Sequence, residues 1–243
     1  MNSGGPAEEP KTVLFGLTPR HLAGPGDPAV LTGRLLGDGW SNHSPAGRPQ
    51  VLLLSPQETL YVSLSPVDPD PKSLWWRIGH TQQGWSAGFG ARCPIEAIAA
   101  FTHALTAPPP REVPEVWHVL EDRGWTLKGT VDRYAHSADA TAVISRRPQA
   151  GGQTAWTSEV CVPGAFGRQQ MVWRAVVPES APAHATAAFT ATLADPSPVP
   201  RAHGAPSYAH GHVSVHHSAA GAGPEALGKL PDPPAGPNPR RRR

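Results

Sequence analysis

Two hydrophobic rhythms alternate along the chain from Val13 to Leu193. In some stretches apolar side chains return every three or four residues, in others every second residue, and Pro or Gly divides them. Val30, Leu31, Arg34 and Leu35 have helical spacing. Asp27-Pro28 before them offers a capping carboxylate and a first-turn proline, and Gly37-Asp38-Gly39 stops them. Four stretches of strand length follow: Val51 to Ser55, Thr59 to Ser65, Leu74 to Gly79 and Gly84 to Gly90. Within the second, Leu60, Val62 and Leu64 alternate with Tyr61, Ser63 and Ser65, which predicts a sheet covered on one face and wetter on the other. A helix then opens at Pro94, with Ile95, Ile98, Ala99, Thr102 and Leu105 on one stripe.

The succession recurs. Ala99-Ala100-Phe101-Thr102 returns 88 residues later as Ala187-Ala188-Phe189-Thr190, and Trp85 and Pro94 return at that offset as Trp173 and Pro182. Ser55, Thr59 and Ser63 return as Ser137, Thr141 and Ser145 at an offset of 82, and Gly39-Trp40 as Gly124-Trp125 at 85. Loops absorb such small shifts. The second copy predicts a helix from Pro114, strands over Thr126 to Ala135, Ala140 to Arg146, Thr154 to Cys161 and Met171 to Val177, and a closing helix of thinner Ala and Thr stripe. The expected fold class is α+β: two tandem repeats, each a roughly four-stranded antiparallel sheet with flanking helices. The organisation reads as an N-terminal lead (1–17), a first module (18–106), a stiff Pro-rich linker (107–113) and a second module (114–195). Residues 196–243, rich in Pro, Ala, Gly and His and ending in four arginines, are expected to be disordered.

Composition narrows the class. All eight Trp lie between Trp40 and Trp173, inside the repeats, where a few large rings can supply much of a small core. No apolar run approaches the roughly 20 residues needed to span a bilayer, and the first ten residues lack the basic and apolar regions of a secretion signal. Cys93 and Cys161 stand far apart in no metal spacing and read as reduced thiols of a cytoplasmic protein. Residues 1–195 carry 15 Lys and Arg against 17 Asp and Glu, so the net charge of +2 comes from the tail.

Several strings occur together: Pro19-Arg20-His21-Leu22-Ala23-Gly24-Pro25-Gly26-Asp27-Pro28, Gly39-Trp40, Ser55-Pro56, Trp75-Trp76-Arg77-Ile78, and Trp85-Ser86-Ala87-Gly88-Phe89-Gly90 with Pro94-Ile95-Glu96-Ala97-Ile98. They resemble an actinobacterial domain-of-unknown-function family (DUF317-like), often present as two copies per chain. The resemblance spans about residues 18–195. The second copy departs from it, with Ser137-Ala138-Asp139 for Ser55-Pro56-Gln57 and Trp173-Arg174-Ala175-Val176 for the Trp-Ser-Ala-Gly-Phe string. The resemblance implies the duplicated fold and places no activity, cofactor or catalytic residue on any position.

Candidate chemistry is sparse. His203, His210, His212, His216 and His217 are possible metal ligands, but no Cys or carboxylate joins them, and no metal or cofactor is expected. Gly24-Pro25-Gly26-Asp27-Pro28 lacks the phosphate-loop pattern, and its prolines remove N–H donors. Ser86 or Ser158 as a nucleophile would need a positioned His and an orienting group, whereas His80, His103, His118 and His184 are unmatched between the copies. No catalytic residue is assigned. The expected function is that of a non-catalytic binding or adaptor protein with a protein partner and no membrane, its site in a groove between the modules. Trp75, Trp76, Arg77, Trp156 and Trp173 are the candidate partner surface. The alternative is a nucleic-acid accessory protein using Arg240, Arg241, Arg242 and Arg243 for phosphate contacts. That alternative predicts Arg34, Arg77, Arg92, Arg123, Arg133, Arg146 and Arg147 on one face, and an enzyme predicts a His or carboxylate pair within reach inside a pocket.

Overall fold

Capping and turn residues fix the helices where the sequence places them. The computed structural model of the protein describes residues 14–66, 68–149 and 152–217. A first strand β1 (Phe15–Thr18) leads to helix α1 (Pro28–Gly37), where Asp27 accepts a hydrogen bond from the Ala29 N–H at 2.8 Å. Gly39 then takes φ +87°, and Trp40 N–H donates to Leu35 O at 3.0 Å. The second repeat ends its first helix α3 (Val116–Asp122) the same way, with Gly124 at φ +79° and Trp125 N–H on Leu120 O at 3.0 Å. This left-handed cap is why Gly-Trp occurs in both copies. Helices α2 (Ile95–Thr106) and α4 (Ala183–Leu193) are both preceded by an extended proline, Pro94 and Pro182.

Each copy contributes five strands, one more than expected. The first supplies β2 (Ser41–Asn42), β3 (Val51–Leu54), β4 (Leu60–Leu64), β5 (Leu74–His80) and β6 (Ser86–Gly90). The second supplies β7 (Thr126–Lys128), β8 (Tyr134–His136), β9 (Ala142–Pro148), β10 (Thr154–Pro163) and β11 (Gln169–Pro178). The predicted strand over Thr126 to Ala135 is split in two by a turn at Gly129 (φ +76°), where a Cβ would lie 2.5 Å from Asp132 O.

All ten form one antiparallel sheet in the order β2-β3-β4-β5-β6-β11-β10-β9-β8-β7. The repeats meet where β6 pairs with β11, Phe89 opposite Ala175 and Gly88 opposite Val176. Beneath this seam α2 packs on α4, and Phe89 sits 5.4 Å from Phe101 and 5.2 Å from Phe189, ring centre to ring centre. Phe101 and Phe189 are the repeated phenylalanines of the two closing helices. The seam is therefore core, and the expected groove between the modules is absent there, because pairing two strand edges and two helix stripes buries more than it would leave open.

The boundary of the tail also moves. Residues 199–217 hold two strands, β12 (Val199–Arg201) and β13 (Ser214–His217), which flank β1 in a small sheet ordered β12-β1-β13. Backbone pairing and one arginine replace a large apolar core here. Arg201 forks onto Glu96 at 2.6 and 2.9 Å and donates to Ala23 O and Gly24 O. Pro200 is tolerated because β12 is an edge strand. Arg240 to Arg243 lie outside the described residues. No helix among the described residues is long and apolar enough to cross a membrane.

Candidate functional site

The segment between β1 and α1 crosses onto the second repeat and builds a cleft there. Trp173 is fully buried in β11, and its indole N–H donates to His21 O at 2.9 Å. That bond sets His21 edge-on to Trp125, with ring centres 6.1 Å apart. Arg20 donates to Asp195, just beyond the end of α4, at 3.1 Å. The β8–β9 turn comes up from below, and His212 and Ser214 close one side. The cleft has a volume of about 390 Å³.

At its floor four side chains satisfy one another. Ser137 donates to Asp139 Oδ1, and Thr141 Oγ1 donates to Asp139 Oδ2 at 2.8 Å. His21 Nε2 lies 2.8 Å from Thr141 Oγ1 and 3.4 Å from Asp139 Oδ2. Thr141 has one hydroxyl proton and spends it on Asp139, so its oxygen accepts from His21 Nε2–H. That nitrogen is then protonated and cannot serve as a base. Burial would raise the Asp139 carboxyl, but the hydrogen bond and charge of His21, with the Ser137 and Thr141 hydroxyls, hold it far below the usual carboxylate range. Asp195 is also lowered: burial opposes, while Ser197, Arg20 and Arg123 prevail.

The turn carrying these residues is duplicated. Ser55 and Ser137 each accept a backbone N–H five residues on, from Leu60 at 3.1 Å and from Ala142 at 3.0 Å. Glu58 and Ala140, equivalent positions, both have positive φ, +55° and +57°. A family model described as SPDY, a domain of unknown function (DUF317), matches residues 54–111 and again 136–199, together half of the chain. The chain belongs to this family. No curated protein and no solved structure matches it. Each SPDY match opens at or beside this serine turn and runs through the closing helix, so the two matches coincide with the two tandem copies.

The SPDY fold does not assemble the tryptophans into one surface. Trp76 (3 % exposed) and Trp173 (0 %) are core residues on the helix-covered face, which corrects their assignment to a partner surface. Strand alternation turns Trp76 inward with Ile78 and leaves Arg77 exposed on the opposite face. A register shift between Leu74 and Trp76 puts Trp75 at the wall of a second, apolar cavity of about 270 Å³ with Trp76, Pro25, Pro66 and Ile95. Trp75 is pinned there by its N–H on Asp68 O at 2.6 Å. Trp156 packs against Trp117 of α3, 4.7 Å between ring centres.

The arginines are dispersed. Arg34 pairs with Asp38, Arg92 lies over Tyr208, Arg123 points to Asp195, Arg133 lies over Trp117, and Arg146 pairs with Glu179. Among the described residues no group of three or more His, Cys, Asp or Glu is placed to hold a metal ion. Gly84-Trp85-Ser86-Ala87-Gly88 carries the Gly-x-Ser-x-Gly spacing of a nucleophile elbow. An elbow needs a strand-to-helix turn, whereas Ser86 opens strand β6 and accepts from Tyr61 OH at 2.9 Å.

His21, Asp139 and Asp195 were not singled out in the sequence as site residues. The matched Ser and Thr of the two turns pointed to the floor of the cleft, and the Pro19-Arg20-His21 string to its wall. Nothing in the spacing indicated that residues 21 and 139 meet.

Proposed function

We propose that this SPDY-family protein is a non-catalytic, cytoplasmic binding or adaptor protein, and that the cleft over its second repeat receives a protein partner. The observation that carries this reading is the closed hydrogen-bond circuit at the cleft floor. His21 and Asp139 form the close pair expected of an enzyme, yet the imidazole N–H, both hydroxyls and both carboxylate oxygens are spent on each other. Such a circuit holds the lead on the second repeat and shapes a binding wall. The cytoplasmic setting draws on the two free cysteines, Cys93 buried and Cys161 half-buried. The scatter of Arg34, Arg77, Arg123, Arg133 and Arg146 over different faces weighs against the nucleic-acid alternative.

Cross-linking of the full chain in its host cells, read by mass spectrometry, tests the proposal. Cross-links from one protein to residues around 123–125, 137–139 and 193–196, lost on Arg123→Glu, are expected. A partner indifferent to that substitution overturns the site. Fluorescence anisotropy with labelled duplex and single-stranded DNA provides the second arm: binding that persists at physiological salt would favour the nucleic-acid reading.

A further inference from the structure

We infer that the cleft recognises an oxyanion, a carboxylate or phosphate group, held by Arg123 with Arg20; the inference rests on the cleft being the binding site. The argument is a balance of donors against acceptors. Both carboxylates in the cleft have a hydrogen-bond partner on each oxygen. Asp139 accepts from Ser137 on Oδ1 and from Thr141 on Oδ2, with His21 Nε2 3.4 Å from Oδ2. Asp195 accepts from Arg20 on one oxygen and from Ser197 N–H, at 2.9 Å, on the other. The donors are left in surplus. The guanidinium of Arg123 has one polar contact among the described residues, to Asp195 Oδ1 at 3.6 Å, too long for a hydrogen bond, and the side chain is 42 % exposed at the cleft wall. Arg20 is 12 % exposed; its Nη2 also reaches Ser197 O at 3.5 Å, and its Nε is buried without a hydrogen-bond partner. His212 adds a further ring at the rim.

A guanidinium presents donors in a planar fork that matches two oxygens of one carboxylate or phosphate, and charge-assisted bonds of this kind are about twice as strong as neutral ones. Cations are poorly served by the same cleft, since they would have to take Asp195 from Arg20 or Asp139 from His21. In a protein partner the group would be an acidic or phosphorylated side chain; as a free ligand it would be a small phosphate or carboxylate metabolite. The volume admits either.

The test uses the full chain, with inorganic phosphate, succinate and a capped Gly-Glu-Gly peptide as probes. Binding is read by titration calorimetry and by the thermal midpoint against chloride at equal ionic strength. Saturable binding is expected, weakened about tenfold or more by Arg123→Gln and unchanged by Arg77→Gln, an arginine exposed on the other face of the sheet. Preference for the peptide over its Gly-Gln-Gly counterpart would assign the site to a partner side chain, and preference for phosphate or succinate to a small ligand. No binding beyond chloride, or equal loss in both variants, overturns the inference. If cross-linking still places a partner at the cleft in that case, only the oxyanion reading fails and the binding site stands.

Discussion

The turn at Ser55 and the turn at Ser137 have the same backbone, the same serine-to-amide bond and the same left-handed residue, but they hold different neighbours. In the first repeat the turn carries Gln57, and Thr81 of the next turn donates to its backbone at Glu58 O; in the second it carries Asp139, which draws in His21 from 118 residues earlier in the chain. The repeated tryptophans diverge in the same way. Trp85 donates to Gln83 two residues away at 3.1 Å, whereas Trp173 donates to the lead at His21 O. Duplication has kept the backbone devices and reassigned the side-chain partners: the lead gives His21 to the second repeat, while Arg201 of β12 holds Glu96 of the first. The cleft lies on the second repeat because Arg20 and His21 anchor there.

The largest expected effect tests whether the two repeats are separable at all. Phe89 is fully buried between Phe101 and Phe189 at the seam. Phe89→Ala should cost about 3–5 kcal/mol, as other Phe-to-Ala truncations in cores do. Urea unfolding followed by tryptophan fluorescence and by circular dichroism should give one shifted transition with coincident midpoints. Two separated transitions would show that the shared sheet does not couple the copies.

Phe101 and Phe189 were legible as a matched pair in the two closing helices, and Asp27, the glycine stops before both Trp and the alternation of β4 as local rules acting within a few residues. What stayed hidden depends on long-range pairing. Val199-Pro200-Arg201 looks like disordered sequence until β1 lies beside it and Glu96 meets Arg201. Trp75 reads as a sheet-face residue until a register shift moves it. The cleft combines residues near 20, 123, 139, 195 and 212, which no periodicity connects.

The tryptophan pair gives the next largest contrast. Trp173→Phe leaves the buried His21 carbonyl without its donor, a loss of about 1–3 kcal/mol. Trp85→Phe frees the side chain of Gln83, which is exposed and can return to water, so its hydrogen-bond loss should cost under about 1 kcal/mol, the removal of buried ring volume being common to both variants. Chemical denaturation of the two variants side by side measures the difference. Equal costs would mean that the lead contributes little to holding Trp173.

Asp139 sharpens the same contrast through pH. Its folded carboxyl titrates below the unfolded value of about 3.9, so its contribution is present above that pH and lost as pH falls through the lowered folded value. Asp139→Asn should cost about 1 kcal/mol at neutral pH, and the gap to the parent chain should close below about pH 4. Asp195 shifts in the same direction but is common to both proteins, so it cancels in the difference. Gln57→Glu, at the matching position of the first repeat, should create no such pH-dependent gap, since none of the hydrogen bonds of that turn brings in a His. A gap of equal size there would break the assignment to the His21 contact.

The smallest effect should be the same in both copies. Gly39 and Gly124 cap their helices at φ +87° and +79°. A Cβ on Gly39 would meet only Pro56 at 3.8 Å, and one on Gly124 nothing within 4 Å, so packing does not oppose alanine at either site. What remains is the left-handed conformation, about 1–2 kcal/mol for a residue with a side chain, partly offset by the roughly 0.4–1 kcal/mol gained from a stiffer unfolded chain. Gly39→Ala and Gly124→Ala should therefore each lower stability by about 1 kcal/mol, and thermal unfolding should show matching shifts. A much larger loss at Gly124 would mean that the cap also fixes Arg123 and Trp125 at the cleft wall, and the difference between the copies would then extend to the backbone that now looks shared.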